Sequence, residues 1–146
     1  MERPPPERRG AYPHFRTLPT RWIDNDVYGH VNNVVYYAYF DTVVNGFLVE
    51  HQLLDIEHSP VIGLVVETSC RFFAPIAFPA TVHAGMRVAH FGRSSVRYEI
   101  GLFEGERETA AAQGHFVHVY VERATGAAAE VPAATRAALE RLVPGT

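Results

Sequence analysis

The stretch VVYYAYFDTVVNGFLVEHQLL, residues 34–54, carries almost no charge in its first half and sets apolar or aromatic side chains around most of its circumference at helical spacing. A helix of that kind must be surrounded by other elements. Asp41 and Asn45 lie four apart, share one face and leave a narrow polar stripe on the cylinder. Val34, Val35, Val43 and Val44 lower the helix propensity, but a run longer than about 12 residues decides for helix over strand.

The material to surround it has a period of two. VIGLVVETSCRFF (61–73) puts Ile62, Leu64, Val66, Thr68, Cys70 and Phe72 on one side, with Glu67, Ser69 and Arg71 interrupting the other. ATVHAGMRVAHF (80–91) sets Val82, Ala84, Met86 and Val88 inward, and SVRYEIGLFE (95–104) groups Val96, Tyr98, Ile100 and Leu102. In TAAAQGHFVHVYVE (109–122), Val117, Val119 and Val121 alternate with His118 and Tyr120. Four consecutive strands with short turns predict an antiparallel meander. HFRTLPTRWID (14–24) reads as a first strand, part of which Pro19 demotes to an edge or irregular lead-in, and PAATRAALERLV (132–143) as a short terminal helix. The expected class is α+β, a five-stranded antiparallel sheet wrapped around one long central helix. Residues 1–13, with four of the ten prolines and three arginines, read as a flexible, solvated tail outside the fold, and residues 14–146 as a single domain.

Composition excludes several chemistries. All 13 basic residues are arginine against 16 acidic ones, and a net charge of −3 gives no footprint for nucleic acid or an anionic membrane. Without lysine there is no Schiff-base, pyridoxal-phosphate, Walker-type or Ser-Lys chemistry. Cys70, the single cysteine, allows no internal disulfide, CxxC pair or cysteine zinc site. No apolar run approaches the roughly 20 residues of a membrane span and the start has no signal-peptide core, so a cytoplasmic location is expected.

Chemistry concentrates in Asp24-Asn25-Asp26-Val27-Tyr28-Gly29-His30-Val31-Asn32-Asn33, directly before the long helix. A helix N-terminus presents unpaired N–H groups and partial positive charge to a developing oxyanion, and a carboxylate just upstream can attack a carbonyl or activate water against it. Acyl transfer or hydrolysis is the reaction class this favours. The plainer alternative is that the loop only caps the helix, which Asp and Asn do routinely for about 1 kcal/mol.

DNDVYGHVNNVVYYAYFD resembles the active-site signature of the hotdog-fold acyl-CoA thioesterases of the 4-hydroxybenzoyl-CoA thioesterase type. RFFAPIAFPATVHAGMRV, GRSSVRYEIGLF and GHFVHVYVERATG extend the likeness from about residue 14 to about residue 143. The resemblance implies the hotdog fold and hydrolysis of an acyl-CoA, with Asp26 as nucleophile or as base towards water. It places the oxyanion donor at the backbone N–H near Asn33, where many bacterial members carry His. GHVNN is also similar to plant acyl-carrier-protein thioesterases, which implies a catalytic part for His30; the Asn that assists there, two residues after the Asp, is Tyr28 here. Tyr28, Gly29 and Tyr36 are expected to position the substrate, Asp41 to line the pocket or brace the loop, and Arg93, with Arg71 or Arg97 behind it, to meet coenzyme A phosphates. Phe40, Phe47, Phe72 and Phe73 suit an apolar pocket or ordinary core. Cys70 is expected to be core, and His115 and His118, on opposite faces of one strand, hold no metal between them. The only cofactor expected is coenzyme A as part of the substrate, and the partner a second copy, as a homodimer or homotetramer joined by sheet edges. A hotdog hydratase or dehydratase and a non-enzymatic acyl-CoA-binding module are the alternatives.

Overall fold

A computed structural model describes residues 4–145. Its elements, in order, are β1 (His14–Pro19), α1 (Asn33–Glu50), β2 (Val61–Phe72), β3 (Thr81–Phe91), β4 (Ser95–Glu104), β5 (Ala112–Glu122) and α2 (Ala133–Glu140). The sheet is antiparallel in the order β1-β3-β4-β5-β2 and curls around α1. Phe40, Val43, Val44 and Phe47 of the helix pack against Val82, Ala84, Met86 and Val88 of β3 and Val96, Tyr98, Ile100 and Leu102 of β4. The two predicted strand faces are therefore the core faces.

The predicted four-strand meander is corrected at β2. This strand pairs with β5, and only β3, β4 and β5 run as consecutive neighbours. The link from β2 to β3, FAPIAFPA (73–80), is too long for a tight hairpin and carries prolines that cannot donate to a ladder, so it carries the chain across the end of the sheet instead. The single-sided pattern proposed for β2 is corrected as well. A β-bulge between Val65 and Glu67 shifts the register, so Gly63 and Val65 share a face with Thr68, Cys70 and Phe72, while Ile62 and Leu64 turn outward.

α1 stops at Glu50, short of the predicted end. Gln52 adopts a left-handed backbone (φ 58°), the Leu53 N–H returns to the Leu48 carbonyl at 2.8 Å and the Gln52 N–H to that of Val49 at 3.1 Å. This is a Schellman termination, built on Gln where sequence reading looks for Gly. β1 also ends early, at Pro19.

The described part of the expected tail, from residue 4 on, packs against the sheet. Glu7 and Arg9 exchange backbone hydrogen bonds with Ala110 and Glu108, Arg9 caps the Gly105 and Arg107 carbonyls, and Tyr12 is buried with Phe103 and Ala110 on the outer face. A Cβ on Gly101 would lie 2.6 Å from the Tyr12 ring and one on Gly85 2.8 Å, so these two glycines make the hollow that receives it. Residues 1–3 lie outside the described residues.

Candidate active site

The loop before α1 is closed at its base and open at its tip. Asn25 and Val31 bridge, the Asp26 N–H bonds the His30 carbonyl at 2.9 Å, and Gly29 takes a positive φ of 80° that residues with a Cβ rarely adopt. The base is tied to the β2–β3 link by the Val31 N–H on the Ile76 carbonyl (2.7 Å) and the Phe78 N–H on Asn25 Oδ1 (3.0 Å). Asn32 is the N-cap of α1: its Oδ1 accepts from Val34 N–H at 3.0 Å and its carbonyl from Val35 N–H at 2.9 Å. That leaves the Asn33 N–H, at the positive end of the helix, without an acceptor among the described residues.

The two carboxylates of the loop differ. Asp24 is 1% exposed. Its oxygens accept from the Arg21 N–H (2.8 Å), Arg21 Nε (3.0 Å) and the Tyr39 hydroxyl (3.0 Å). Burial pushes its pKa up, but the hydrogen bonds from Arg21 and Tyr39 and the Arg21 charge outweigh burial and hold it below the ordinary carboxylate range. Burial, with the bond to Asp24, raises Tyr39 in turn. Asp24 is thus a brace between the loop and α1. Asp26 is half-buried, and the one side-chain hydrogen bond it makes among the described residues is from the Tyr28 N–H to Oδ1 at 2.8 Å. Its carboxylate is free to act.

A cavity of about 300 Å³ opens beside the helix start, lined by His30, Asn33, Tyr36, Phe72, Phe73 and Pro75 among others. Tyr36 is 3% exposed and meets Phe72 edge-to-face at 4.9 Å. Burial raises its phenol, against a hydrogen bond with the Ile76 backbone, and the Asp26 charge adds a smaller push in the same direction. The structure therefore brings His30, Asn33 and Tyr36 together, with Asp26 on the adjoining turn and outside the cavity lining.

Other expected positions fall elsewhere. Tyr28 and Gly29 form the exposed tip of the turn, and Tyr28 does not line the cavity in the single chain. Arg93 sits in the β3–β4 turn, at the opposite end of the sheet from the loop, beside Glu130 at 4.0 Å. Asp41 is exposed and bonds Asn45 at 3.0 Å, away from the loop it was expected to brace. Phe72 and Phe73 line the cavity, whereas Phe40 and Phe47 are core. Burial pushes the Cys70 thiol up to about 12, away from the thiolate a nucleophile needs. His118 is buried, while His115 on the outer face bonds Glu67 and Ser69. Sequence reading missed the Arg21–Asp24–Tyr39 brace and the wall made by Ala74 and Pro75. A contact between residues 15 apart leaves no local signal, and the wall is a linker that acquires its role only by lying against the helix.

No helix among the described residues is long and apolar enough to cross a membrane. The profile of the Thioesterase-like superfamily matches residues 19–139. Among solved structures, the PA5185 protein of Pseudomonas aeruginosa superposes with a TM-score of 0.93 at 51% identity, covering 98% of this chain and 99% of that one. The PA2801 protein of the same organism follows with 0.81 at 30% identity over 86% and 96%. The gentisyl-coenzyme A thioesterase BH1999 shares the fold, with 0.76 at 23% identity over 86% and 99%. A comparison with curated proteins gives no match. With its five-stranded sheet around one long helix, the chain is a hotdog-fold protein and belongs to the thioesterase-like superfamily.

Proposed function

We propose that this protein hydrolyses acyl-CoA thioesters, with Asp26 as the attacking carboxylate or the base that activates water. The observation that carries the reading is the division of labour between the two loop carboxylates. Asp24 is saturated by Arg21 and Tyr39, and Asp26 is left with one hydrogen bond beside an open helix N-terminus. A thioester carbonyl at the cavity mouth would direct its oxygen to the Asn33 N–H, where the helix end stabilises the tetrahedral oxyanion, while the acyl group lies in the cavity against Tyr36, Phe72 and Phe73. Collapse of that intermediate breaks the C–S bond and releases the coenzyme A thiolate, which takes a proton from His30 on the cavity wall; water supplies the hydroxyl of the acid, either activated by Asp26 or by cleaving the anhydride that Asp26 forms.

The same reading includes a homodimer. β2 is an edge strand with no fully buried residue, and Leu64, Val65 and Val66 are exposed on it. Val27, Tyr28 and Val34 form a second exposed apolar set around the loop tip. An unpaired edge of this length with apolar side chains favours pairing with another strand. Antiparallel pairing of two β2 strands about their middle would set the Val61 end of one beside the Phe72 end of the other and complete the cavity wall.

Thiol release from a panel of acyl-CoA thioesters, for the native chain and Asp26→Asn in parallel, tests the reading. Asn retains an Oδ1 for the Tyr28 N–H, so the variant is expected to stay folded and lose about 100-fold or more in kcat. Equal turnover by both removes Asp26 from the mechanism. No turnover of any thioester by the native chain removes hydrolysis.

A further inference from the structure

The outer face of the sheet, opposite the helix, holds a polar cavity of about 400 Å³. Its floor is a cross-strand row, Ser69 on β2, His115 on β5, Glu99 on β4 and Arg87 on β3. Each member of that row is already engaged. Ser69 Oγ and Glu67 Oε1 hold the two nitrogens of His115 at 2.8 and 2.7 Å, and Arg87 bonds Glu99 at 2.8 Å and faces Glu7 at 3.6 Å. Two further cations of the cavity are not engaged: Arg71 and Arg97 have no ion pair or side-chain hydrogen bond among the described residues.

Their positions follow from register. Arg71 lies opposite Gln113 and Arg97 opposite Val117, so they flank the His115 row on either side. Two strands and four residues separate their backbones, about 10 Å across and about 13 Å along the sheet. Such a pair suits a ligand with two separate anionic groups better than a single small anion, and each planar guanidinium can take a phosphate through two N–H donors. The site is also linked to the reacting end. Arg71 and Phe72 are consecutive on the edge strand, so their side chains leave on opposite faces, Arg71 into this cavity and Phe72 into the one at the start of α1.

We propose that Arg71 and Arg97 bind the phosphates of the coenzyme A nucleotide on the outer face of the sheet, with the pantetheine arm passing round the end of β2 to carry the thioester to Asp26. The assignment rests on the acyl-CoA reading above. It moves phosphate recognition from Arg93, in the β3–β4 turn, onto the outer face, where Arg71 lies on the strand that borders the cavity beside the helix.

Calorimetric titration of the full chain with coenzyme A, dephospho-coenzyme A, adenosine 3′,5′-bisphosphate and inorganic phosphate tests it without requiring turnover. Coenzyme A and the bisphosphate are expected to bind, dephospho-coenzyme A about 10-fold more weakly, and the double variant Arg71→Gln/Arg97→Gln to lose about 10-fold or more for both bisphosphorylated ligands. Arg71→Lys/Arg97→Lys, which keeps the charge, should recover part of that loss. Unchanged binding in the Gln variant, no binding of coenzyme A by the native chain, or binding of inorganic phosphate alone would each overturn the assignment. In the native chain, turnover of an acyl-CoA and of its N-acetylcysteamine counterpart reports separately on hydrolysis. If neither thioester is cleaved while coenzyme A binds through the two arginines, the hydrolase reading fails and the nucleotide site stands.

Discussion

Tyr39, in the second turn of α1, donates its hydroxyl to Asp24 Oδ2 at 3.0 Å and so joins the long helix to the loop that precedes it. The bond lies in the interior, with Tyr39 6% and Asp24 1% exposed. A hydrogen bond to a buried ionised acceptor contributes more than a neutral one, about 2 kcal/mol. Tyr39→Phe is therefore expected to lower stability by about that amount in urea unfolding. A change below about 0.5 kcal/mol would show that Arg21 alone holds Asp24. Because the Asp24 pKa is depressed on folding, its contribution is present above the unfolded carboxylate pKa and is lost as pH falls through the folded value.

His118 sets a second acid-sensitive element. Its ring is 1% exposed among Tyr98, Phe116 and Tyr120, and its Nδ1 has no hydrogen-bond partner among the described residues. Burial pulls its pKa down to about 4. Between the unfolded value near 6.5 and that folded value the unfolded chain binds the extra proton, so stability falls as pH falls across this window, by roughly 3 kcal/mol in all. His118→Phe is expected to flatten the stability–pH curve between pH 6.5 and 4. An unaltered slope in urea titrations at successive pH values would assign it to other groups.

The hollow for Tyr12 makes a steric prediction. Gly101→Ala would set a methyl 2.6 Å from the Tyr12 ring, a clash that expels the segment rather than compressing it. Limited proteolysis near residues 8–12 should become at least about 10-fold faster in this variant, because the opened state is more populated. Adding Tyr12→Ala to Gly101→Ala should leave stability close to that of Tyr12→Ala alone, a coupling that a double-mutant cycle measures. Additive losses would refute the contact.

Val66 stands at the β2 bulge and is 60% exposed. If two β2 edges pair, an arginine there places like charges near the pairing axis. Light scattering should then show Val66→Arg shifted from dimer towards monomer at micromolar concentration, with turnover falling in proportion. A native chain that is monomeric and fully active would end the dimer reading.

Much of this protein was determined by its linear pattern. The uncharged run from Val34 needed a wrapper, the period-two runs around Val82–Val88 and Val96–Leu102 supplied it, and the polar stretch from Asp24 to Asn33 had to meet the helix start. Those are local properties, because burial of one face imposes a period of 2 or 3.6 on neighbouring residues. What tertiary structure decided has no such period. The bulge at Val65–Glu67 turned half of β2 over, the β2–β3 link became a wall of the cavity, and two glycines on different strands made room for Tyr12. The choice between Asp24 and Asp26 was of the same kind. The two carboxylates are alike in sequence, and only the arrival of Tyr39 from the next element and of Arg21 from the preceding turn consumes one and leaves the other free.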